Sequence, residues 1–482
     1  MRIVGILVVV VLLLLGGTLW WLKFDKGSPT VTPVAMTDSL GNKAPLDLDV
    51  RAEGPGLREV TVRLNAGGTV YELFKETYPA TSWRGSELTE KRIHLEPDLL
   101  ALQVPEGQAT LDVLVDTYGW GLGHGKPALS KSVNVDRTPP TVELLTSQHN
   151  GRLGGMELAV FRQSPDTVSS AIEVGPYVFP ATTGYFTDPT VAVAFFAIPQ
   201  DLNVDARPML VARDAAGNRR EANLPVLIKP RRFPERSLAI DDAFLSRKVP
   251  EIERVNGIAP ATDLVKGYLY INNDLRKQSE AKIKEVTAKS APAPMWDGAF
   301  HRQTNAAPLS AFADRRVYMY KGAAIDHQTH LGYDLASLKN ANVEAAQNGV
   351  VVFAGNLGIY GNTVILDHGL GVFTLYGHMN TITVKVGDTV QKGGTLGQSG
   401  ETGLAGGDHI HYSTMLYGTH VDPVEWWDPL WIKKHVAPKL ALLPSAHAPV
   451  AAQPAAGSAA PAGAKATPPA KAEPAAKVTP AA

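Results

Sequence analysis

The chain has 482 residues, of which 44% are hydrophobic, so it is long enough for several domains with buried cores. Its 46 Lys and Arg residues nearly balance its 47 Asp and Glu residues, and a formal charge of -1 gives no basic field that would indicate a nucleic-acid partner. The sequence contains no cysteine, which excludes disulfides, thiolate metal ligands and a cysteine nucleophile. Any metal ion would therefore have to be bound by histidine and carboxylate side chains.

Residues 1–26 are predicted to form a transmembrane signal anchor. Arg2 precedes an uncharged apolar run over 3–22, about 20 residues, which as a helix would span the ~30 Å hydrocarbon core of a bilayer. Trp20 and Trp21 would lie at the far interface. A cleaved secretory signal is the alternative, although the run is long for one and ends without a small-residue cleavage site. We expect a single-pass protein of the inner (cytoplasmic) membrane, with its bulk in the periplasm or another extracytoplasmic space.

The chain after this anchor is predicted to form two β-sandwich modules, over 27–137 and 138–230. The stretch REVTVRLNAGGTVYELF alternates apolar and polar residues before a glycine-containing turn and a second strand, which predicts a β-hairpin. The break between the modules is placed at Pro139 and Pro140, because proline cannot occupy a central strand. The stretches DRTPPTV and DAAGN resemble strand boundaries of bacterial immunoglobulin-like domains, and this resemblance implies an immunoglobulin-like fold for the modules.

A change to helical periodicity over 231–295 predicts a helical connector, with Ser237 as the N-cap of its first helix. Over 296–436 the sequence again indicates short strands separated by many glycines, which predicts a small β-domain. The Ala/Pro-rich segment 437–482 has almost nothing to bury and is predicted to be a disordered tail. The fold class expected for the whole chain is therefore mainly β.

Histidines are concentrated in the predicted β-domain, which carries nine of the 13 in the chain. His409 and His411 are one residue apart in a β-prone run, and alternation along a strand would project both rings from one face. His330 and Asp334 lie four apart around a glycine, in a stretch that favours an extended or looped segment over a helix. Imidazole and carboxylate are good zinc ligands, and His411 can supply the third ligand of a set that leaves a fourth position open for water.

Four motifs in this domain resemble the lysostaphin/LytM-type zinc metallopeptidases, a family of peptidoglycan endopeptidases. They are an H-x-G-x-D motif, the run YGNTVILDHGLGVFTLYGHM, the hairpin VKVGDTVQKGGTLGQSGETG and an H-x-H motif, and they occur in the order typical of the family. The resemblance covers roughly residues 296–430, which is under a third of the chain. It implies a small antiparallel β-fold with a groove, Zn2+ as the cofactor, and activity on peptide bonds of bacterial cell-wall peptidoglycan.

By this resemblance, His330, Asp334 and His411 are the metal ligands, and His378 and His409 are unligated catalytic histidines. A zinc ion would lower the pKa of its water to about 7. His409 would then accept the proton of that water, and His378 would donate a hydrogen bond to the developing oxyanion or help to hold the water. The chain has no H-E-x-x-H motif, so no glutamate base of the thermolysin kind is expected.

Several polar residues of this domain allow a second interpretation. His327 could act as a ligand, but it lacks the glycine and aspartate at the family spacing. His368 is interpreted as structural, and His420 as a turn or rim residue. His378 could also be structural, because YGHM departs from the commoner Tyr-Ala-His-Leu. Asp408 stands where the family usually has proline, and its carboxylate could orient an imidazole or weaken the match.

The leading functional hypothesis is a membrane-anchored cell-wall endopeptidase whose β-modules hold the catalytic domain away from the membrane, or bind the wall or an envelope protein partner. A second hypothesis is a non-catalytic regulator that activates a cell-wall amidase, as some relatives without metal ligands do. A third is an adhesin or structural protein, which leaves the histidine cluster unexplained. The bond that would be cut stays open between D-alanyl to diaminopimelate cross-links and glycine bridges.

Overall fold

The structure is a computed structural model that describes residues 2–24, 27–43, 45–120 and 125–447. Its first helix, α1, covers Arg2–Lys23. Within the described residues, no helix combines the length and the apolar character that crossing a membrane requires. The transmembrane anchor predicted over 1–26 is therefore not supported by the structure.

The described residues between 27 and 137 form eight strands in two sheets. The strands are β1 Thr30–Ala35, β2 Ser39–Leu40, β3 Leu46–Arg51, β4 Leu57–Ala66, β5 Thr69–Thr77, β6 Glu90–Leu95, β7 Gly107–Thr117 and β8 Pro127–Val135. One sheet has the order β1-β3-β6 and the other β2-β8-β7-β4-β5. Alternate apolar residues of the two sheets, such as Leu48 and Val62, are buried in one core. The predicted hairpin is formed by β4 and β5.

Ten further strands lie between 138 and 230. They are β9 Val142–Leu144, β10 Asn150–Arg152, β11 Met156–Gln163, β12 Thr167–Val174, β13 Tyr177–Pro180, β14 Thr182–Thr183, β15 Val191–Ala197, β16 Met209–Asp214, β17 Arg219–Asn223 and β18 Leu227–Lys229. Two four-stranded sheets have the orders β14-β15-β11-β9 and β13-β12-β16-β17, and β10 pairs with β18. Pro139 and Pro140 lie between β8 and β9, outside any strand. The immunoglobulin-like classification of both modules stays a prediction.

The predicted connector begins with a strand and continues in three helices, which are β19 Glu235–Ile240, α2 Asp242–Val255, α3 Leu264–Tyr270 and α4 Arg276–Val286. A π-helical turn over Ile271–Leu275 joins α3 to α4. Helix α2 is capped by Asp241, whose side chain accepts a hydrogen bond from the backbone N–H of Phe244. The prediction of Ser237 as an N-cap is wrong, because that residue lies inside β19 and pairs with a neighbouring strand.

The rest of the described chain is mainly β and ends in short helices. The strands are β20 Ala307–Ser310, β21 Asp314–Tyr320, β22 Ala323–His330, β23 Tyr333–Ala336, β24 Asn342–Glu344, β25 Gly349–Asn356, β26 Asn362–Asp367, β27 Val372–Met379, β28 Thr381–Ile382, β29 Thr389–Val390, β30 Thr395–Gln398, β31 Ile410–Leu416 and β32 Thr419–Val421. The helices are α5 Pro423–Trp427, α6 Pro429–Trp431 and α7 Ala437–Leu440, with a π-helical turn over Ile432–Val436 and a 3₁₀ turn over Gly358–Tyr360.

These strands form a main sheet of order β20-β23-β31-β27-β26-β25-β29, with β32 paired to β31. Two smaller sheets have the orders β19-β21-β22 and β24-β30-β28. The first of these contains β19, which pairs in parallel with β21. The predicted connector therefore adds a strand to the β-domain.

Both faces of the main sheet are covered. Val364 and Leu366 belong to a core shared with β11 and β15 of the second module. Ile365 and Phe373 belong to a core shared with α2, α3 and α4. Strands buried on both faces are expected to be almost continuously apolar, as the runs TVIL and VFTLY are. The connector helices are thus part of the packed β-domain.

The second module and the β-domain share one hydrophobic core. Phe195 of β15 lies against Trp296 and Trp426, with ring centroids 6.4 and 5.8 Å apart. The segments predicted as separate domains, 138–230 and 296–436, therefore do not each have a core of their own. The unbroken apolar run VAVAFFA of β15 is the sequence feature that matches this burial.

The segment predicted to be disordered from residue 437 is ordered at its start. It begins with α7, where Lys439 donates a hydrogen bond to Glu157 of β11 at 2.7 Å. A backbone bridge then links Ser445 to Phe186. These contacts with the second module correct the predicted boundary. The remainder of the predicted tail, 448–482, lies outside the described residues.

Candidate metal centre

Backbone pairing brings the three predicted ligands together. His330 ends β22, Asp334 lies on β23 and His411 lies on β31. Asp334 and His411 are direct partners in the antiparallel β23-β31 pair. A Cβ atom on Gly332 would lie 2.6 Å from Nε2 of His411. Only glycine therefore fits in the turn between β22 and β23, where the backbone passes close to this imidazole. This close approach explains the glycine of the H-x-G-x-D motif.

The ligand atoms converge closely enough to share one ion. Nε2 of His330 lies 2.9 Å from Oδ1 of Asp334 and 3.0 Å from Nδ1 of His411. Nδ1 of His411 lies 3.2 Å from Oδ1 of Asp334. Tetrahedral zinc with bonds of about 2.0–2.1 Å holds its ligand atoms roughly 3.3 Å apart. The separations therefore fit a zinc-sized ion bound by three protein ligands.

The second nitrogen of each ligand histidine has its own hydrogen-bond partner. Nδ1 of His330 donates to the carbonyl oxygen of Ala311 at 2.9 Å. Nε2 of His411 donates to Oγ of Ser413 at 3.0 Å, and that hydroxyl donates to the carbonyl oxygen of Leu331. These partners fix the tautomers, so the lone pairs of the two rings face the shared point.

Charge at the centre suits a cation. Burial raises the pKa of Asp334, but the neighbouring His330 outweighs it and the net pKa lies well below its usual range. Burial lowers the pKa of His411 to about 3, so its ring is neutral. Nη2 of Arg316 donates to Oδ2 of Asp334 at 2.8 Å and leaves Oδ1 toward the histidines. The centre thus presents the carboxylate anion of Asp334 and the neutral imidazole of His411.

His378 and His409 lie beside the three ligand residues. Nδ1 of His409 donates to the carbonyl oxygen of Gly407 at 2.8 Å, and Nδ1 of His378 donates to that of Thr402 at 2.9 Å. The two ring centroids are 4.9 Å apart. Nε2 of His409 lies 3.5 Å from Oδ1 of Asp334. Each ring is therefore held at Nδ1 by a backbone carbonyl, and the catalytic roles of both histidines stay a prediction.

The two histidines differ in electrostatic surroundings. Burial lowers the pKa of His409, but the hydrogen bond and charge of Asp334 outweigh it and the net pKa is raised. Burial, followed by the influence of His409, lowers the pKa of His378 well below its usual value. His378 also has a φ of 63, an uncommon backbone conformation for a side chain of this size. Such outliers often accompany functional sites.

Other residues named from the sequence lie outside the ligand set. His327 is exposed on β22 and does not join the cluster. His368 is fully buried at the end of β26, where both ring nitrogens are hydrogen-bonded, as expected of a structural residue. The carboxylate of Asp408 accepts hydrogen bonds from Ser399 and from the backbone of Asn340. That residue therefore holds a loop and orients no imidazole.

Sequence reasoning missed a polar cluster supplied by the connector. Glu280 of α4 accepts a hydrogen bond from Oη of Tyr360 at 2.7 Å, and lies 3.1 Å from Nε2 of His420. The ring of Tyr360 is 5.1 Å from that of His411. His420 is buried, so its interpretation as a turn or rim residue is wrong. No motif includes α4, and nothing in the sequence pattern indicated this contact.

The centre opens into a groove whose walls come from two parts of the chain. One wall carries the metal-ligand candidates and the two further histidines. The other carries connector residues, among them Ile240, Phe244 and Tyr268. A carboxylate and two imidazoles that converge on one point, with two more imidazoles beside them, are a donor set suited to a single metal ion.

The chain contains a domain of Peptidase family M23, which residues 328–423 match. It is 39% identical over 95 residues to the DD-carboxypeptidase/endopeptidase Mpg of Neisseria meningitidis, covering 20% of this chain and 22% of that protein. It is 36% identical over 96 residues to the peptidoglycan DD-endopeptidase ShyA of Vibrio cholerae, with coverage of 20% and 22%. The chain thus spans about a fifth of the length of these curated relatives.

Among solved structures, the catalytic domain of lysostaphin from Staphylococcus simulans is 26% identical to this chain. The match covers 27% of this chain and 98% of that domain, with a TM-score of 0.24. The family match spans all five predicted site residues, listed in chain order as His330, Asp334, His378, His409 and His411. The family resemblance predicted from the sequence is confirmed.

Proposed function

We propose that this protein is a zinc-dependent endopeptidase that cleaves peptide cross-links of bacterial peptidoglycan. The observation that carries the proposal is the convergence of His330, Asp334 and His411 beside His378 and His409. The names of the relatives Mpg and ShyA support a DD bond, such as the D-alanyl to diaminopimelate cross-link, over a glycine bridge.

Zinc fits the donor set of two imidazoles and one carboxylate, which leaves a coordination position for water. When bound, it would lower the pKa of a water molecule to about 7 and so supply a nucleophile near neutral pH. The chain's own contribution is to hold the ligands in place. Ser413 and Arg316 do so through the hydrogen bonds to His411 and Asp334.

His409 is assigned the role of general base. Its Nδ1 proton is held by Gly407, so Nε2 is the atom that accepts a proton from the attacking water. The same nitrogen then returns the proton to the leaving amine. His378 is assigned to the developing oxyanion or to the water, and its ring is held in place by Thr402.

The substrate places the proposed action in an extracytoplasmic space, where peptidoglycan lies. The two β-modules are proposed to position the catalytic domain toward the wall or toward an envelope protein. The alternative role, a regulator that activates an amidase, is disfavoured because all five positions of the site retain histidine or aspartate. A domain that served only as a scaffold would not need them.

Mass spectrometry of muropeptides tests the proposal. The full chain, loaded with zinc, is incubated with purified cross-linked muropeptide dimers, and the same reaction is run after chelation and after zinc is restored. We expect dimers to be converted to monomers only when metal is present. His409→Ala serves as the matched inactive control, and exposed His327→Ala as the active one. Intact dimers after incubation with the zinc-saturated wild-type chain would contradict the endopeptidase assignment.

A further inference from the structure

Helix α4 of the connector presents a cationic side chain to the groove beside the metal centre. Arg276, the first residue of α4, lines that groove together with His378 and His409. Its Nε donates to the carbonyl oxygen of Asn272 at 3.0 Å, and a terminal nitrogen donates to Oδ1 of the same residue. Among the residues that the structure describes, no carboxylate forms an ion pair with it.

The other arginines of the groove are already paired. Arg316 bonds to Asp334 at 2.8 Å, and Arg236 lies 3.5 Å from Asp314. Arg276 is therefore the cation in excess among the groove's three arginines and two aspartates. A divalent ion at the centre would add further positive charge. The groove thus favours a substrate that carries an anionic group.

Burial raises the pKa of Glu280 on the same helix, but His420, Tyr360 and the charge of Arg276 together outweigh burial and lower it. Glu280, one turn after Arg276, is bonded to Tyr360 and His420. The ring of Tyr360 in turn lies 5.1 Å from that of His411. These contacts fix α4 against a candidate metal ligand, so the guanidinium is carried by a rigid element at a set place in the groove.

We propose that Arg276 binds a free carboxylate of the peptide substrate, and that the connector thereby contributes a specificity residue to the catalytic site. This inference rests on the proposed function. A guanidinium presents a planar fork of donors that matches a carboxylate, and charge-assisted pairs of this kind are stronger than neutral hydrogen bonds. Wall peptides with free carboxylates can form this charge-assisted pair with Arg276, whereas their carboxamide forms cannot.

The test uses the full zinc-loaded chain and two forms of one cross-linked muropeptide dimer, with its carboxylates free or converted to carboxamides. Arg276→Gln removes the charge but keeps a donor, and Arg276→Lys keeps the charge without the fork. Lys277→Gln, exposed on the same helix, is the matched control. Zinc content and thermal unfolding establish that each variant is folded, and calorimetry measures binding of an uncleaved linear peptide in both forms.

For the free-carboxylate dimer, we expect Arg276→Gln to raise KM about tenfold or more, with kcat changed little, and to weaken binding of the linear peptide similarly. For the carboxamide dimer, wild type and variant should differ less than about twofold. Arg276→Lys should fall between them, and Lys277→Gln should match wild type. Equal losses on both forms, or no loss on either, would refute the carboxylate contact and leave the proposed function standing. If the wild-type chain cleaves neither form, the proposed function fails and this inference fails with it.

Discussion

Nε2 of His330 lies 3.0 Å from Nδ1 of His411, although 80 residues separate the two in the sequence. Two imidazole nitrogens at this distance, both without a proton, would repel each other through their lone pairs. A proton or a metal ion between them removes that repulsion. Because Asp334 completes the triangle with distances of 2.9 and 3.2 Å, a metal ion satisfies all three groups at once.

The first prediction concerns metal content. Asp334→Ala and His411→Ala should each lose zinc, because two protein ligands bind the ion poorly. His409→Ala should retain about one zinc per chain, because His409 lies beside the three ligands and is not one of them. Elemental analysis of the three purified variants checks this. Stoichiometric zinc in both ligand variants would disprove the assignment, and loss of zinc from His409→Ala alone would exchange the roles of the two histidines.

The second prediction concerns turnover with zinc in place. His409→Ala should lower kcat for muropeptide cleavage by about 10²- to 10⁴-fold, because general-base catalysis typically contributes that much. His327→Ala, exposed on β22, should leave kcat unchanged. The rates are compared at equal zinc occupancy. A His409→Ala variant with wild-type turnover would remove the base from the mechanism.

The third prediction concerns the support of a ligand. Ser413→Ala should weaken zinc binding by about 10- to 100-fold, because the hydroxyl that orients His411 is lost. Thr414→Val is the control, since its side chain points to the opposite face of β31. Competition with a chelator of known affinity measures both variants. Unchanged affinity in Ser413→Ala would mean that packing alone orients the imidazole.

The ligand candidates could be predicted because their pattern is local. The spacing of His330 and Asp334 and the alternation of His409 and His411 are properties of short segments. Ser413 could have been found in the same way, since it is two residues after His411 on one strand face. Arg316 could not, because its contact with Asp334 depends on how β21 and β22 pair.

The fold was predictable strand by strand and less so between segments. The hairpin of β4 and β5 and the end of β8 before Pro139 follow from alternation and from the limits of proline. Burial of β15 against Trp296 and Trp426 depends on long-range packing that no local pattern encodes. For the same reason the helices of 231–295 were predicted as a connector, although they pack on the main sheet.

The fourth prediction follows from this packing. A fragment limited to 296–436 should be insoluble or unfolded, because it exposes the parts of the main sheet that β11, β15 and the connector helices cover. Each large apolar side chain left in water costs about 1.5–3 kcal/mol. A fragment over 138–447 should fold and bind zinc. Circular dichroism, size-exclusion chromatography and zinc content compare the two. A soluble, zinc-binding 296–436 fragment would show that the shared cores are dispensable.

An ion cluster lies at the same interface. Nε of Arg152 on β10 donates to Glu425 at 3.0 Å, and a second nitrogen of Arg152 donates to Asp422 at 3.0 Å. The other oxygen of Glu425 accepts a hydrogen bond from the backbone of Met156. Burial raises the pKa of Glu425 to about 7, although Arg152 acts in the opposite direction. The interface therefore contains a carboxyl group that titrates near neutral pH.

The last prediction uses this group. Since the folded pKa of Glu425 is about 7 and its ordinary value is 4.5, the folded state holds a proton that the unfolded state releases. This proton therefore adds about 3 kcal/mol to the free energy of unfolding below about pH 4.5, and the contribution is lost as the pH rises through 7. Glu425→Gln keeps the shape and the acceptor for Met156 but cannot titrate. Between pH 5 and 8 the wild-type chain should therefore lose more unfolding free energy than this variant, in urea titrations followed by tryptophan fluorescence.

Glu143→Gln, at an exposed position, should follow the wild-type curve. Parallel pH dependence in wild type and Glu425→Gln would mean that Arg152 keeps the carboxylate ionised throughout, and that the interface does not respond to pH.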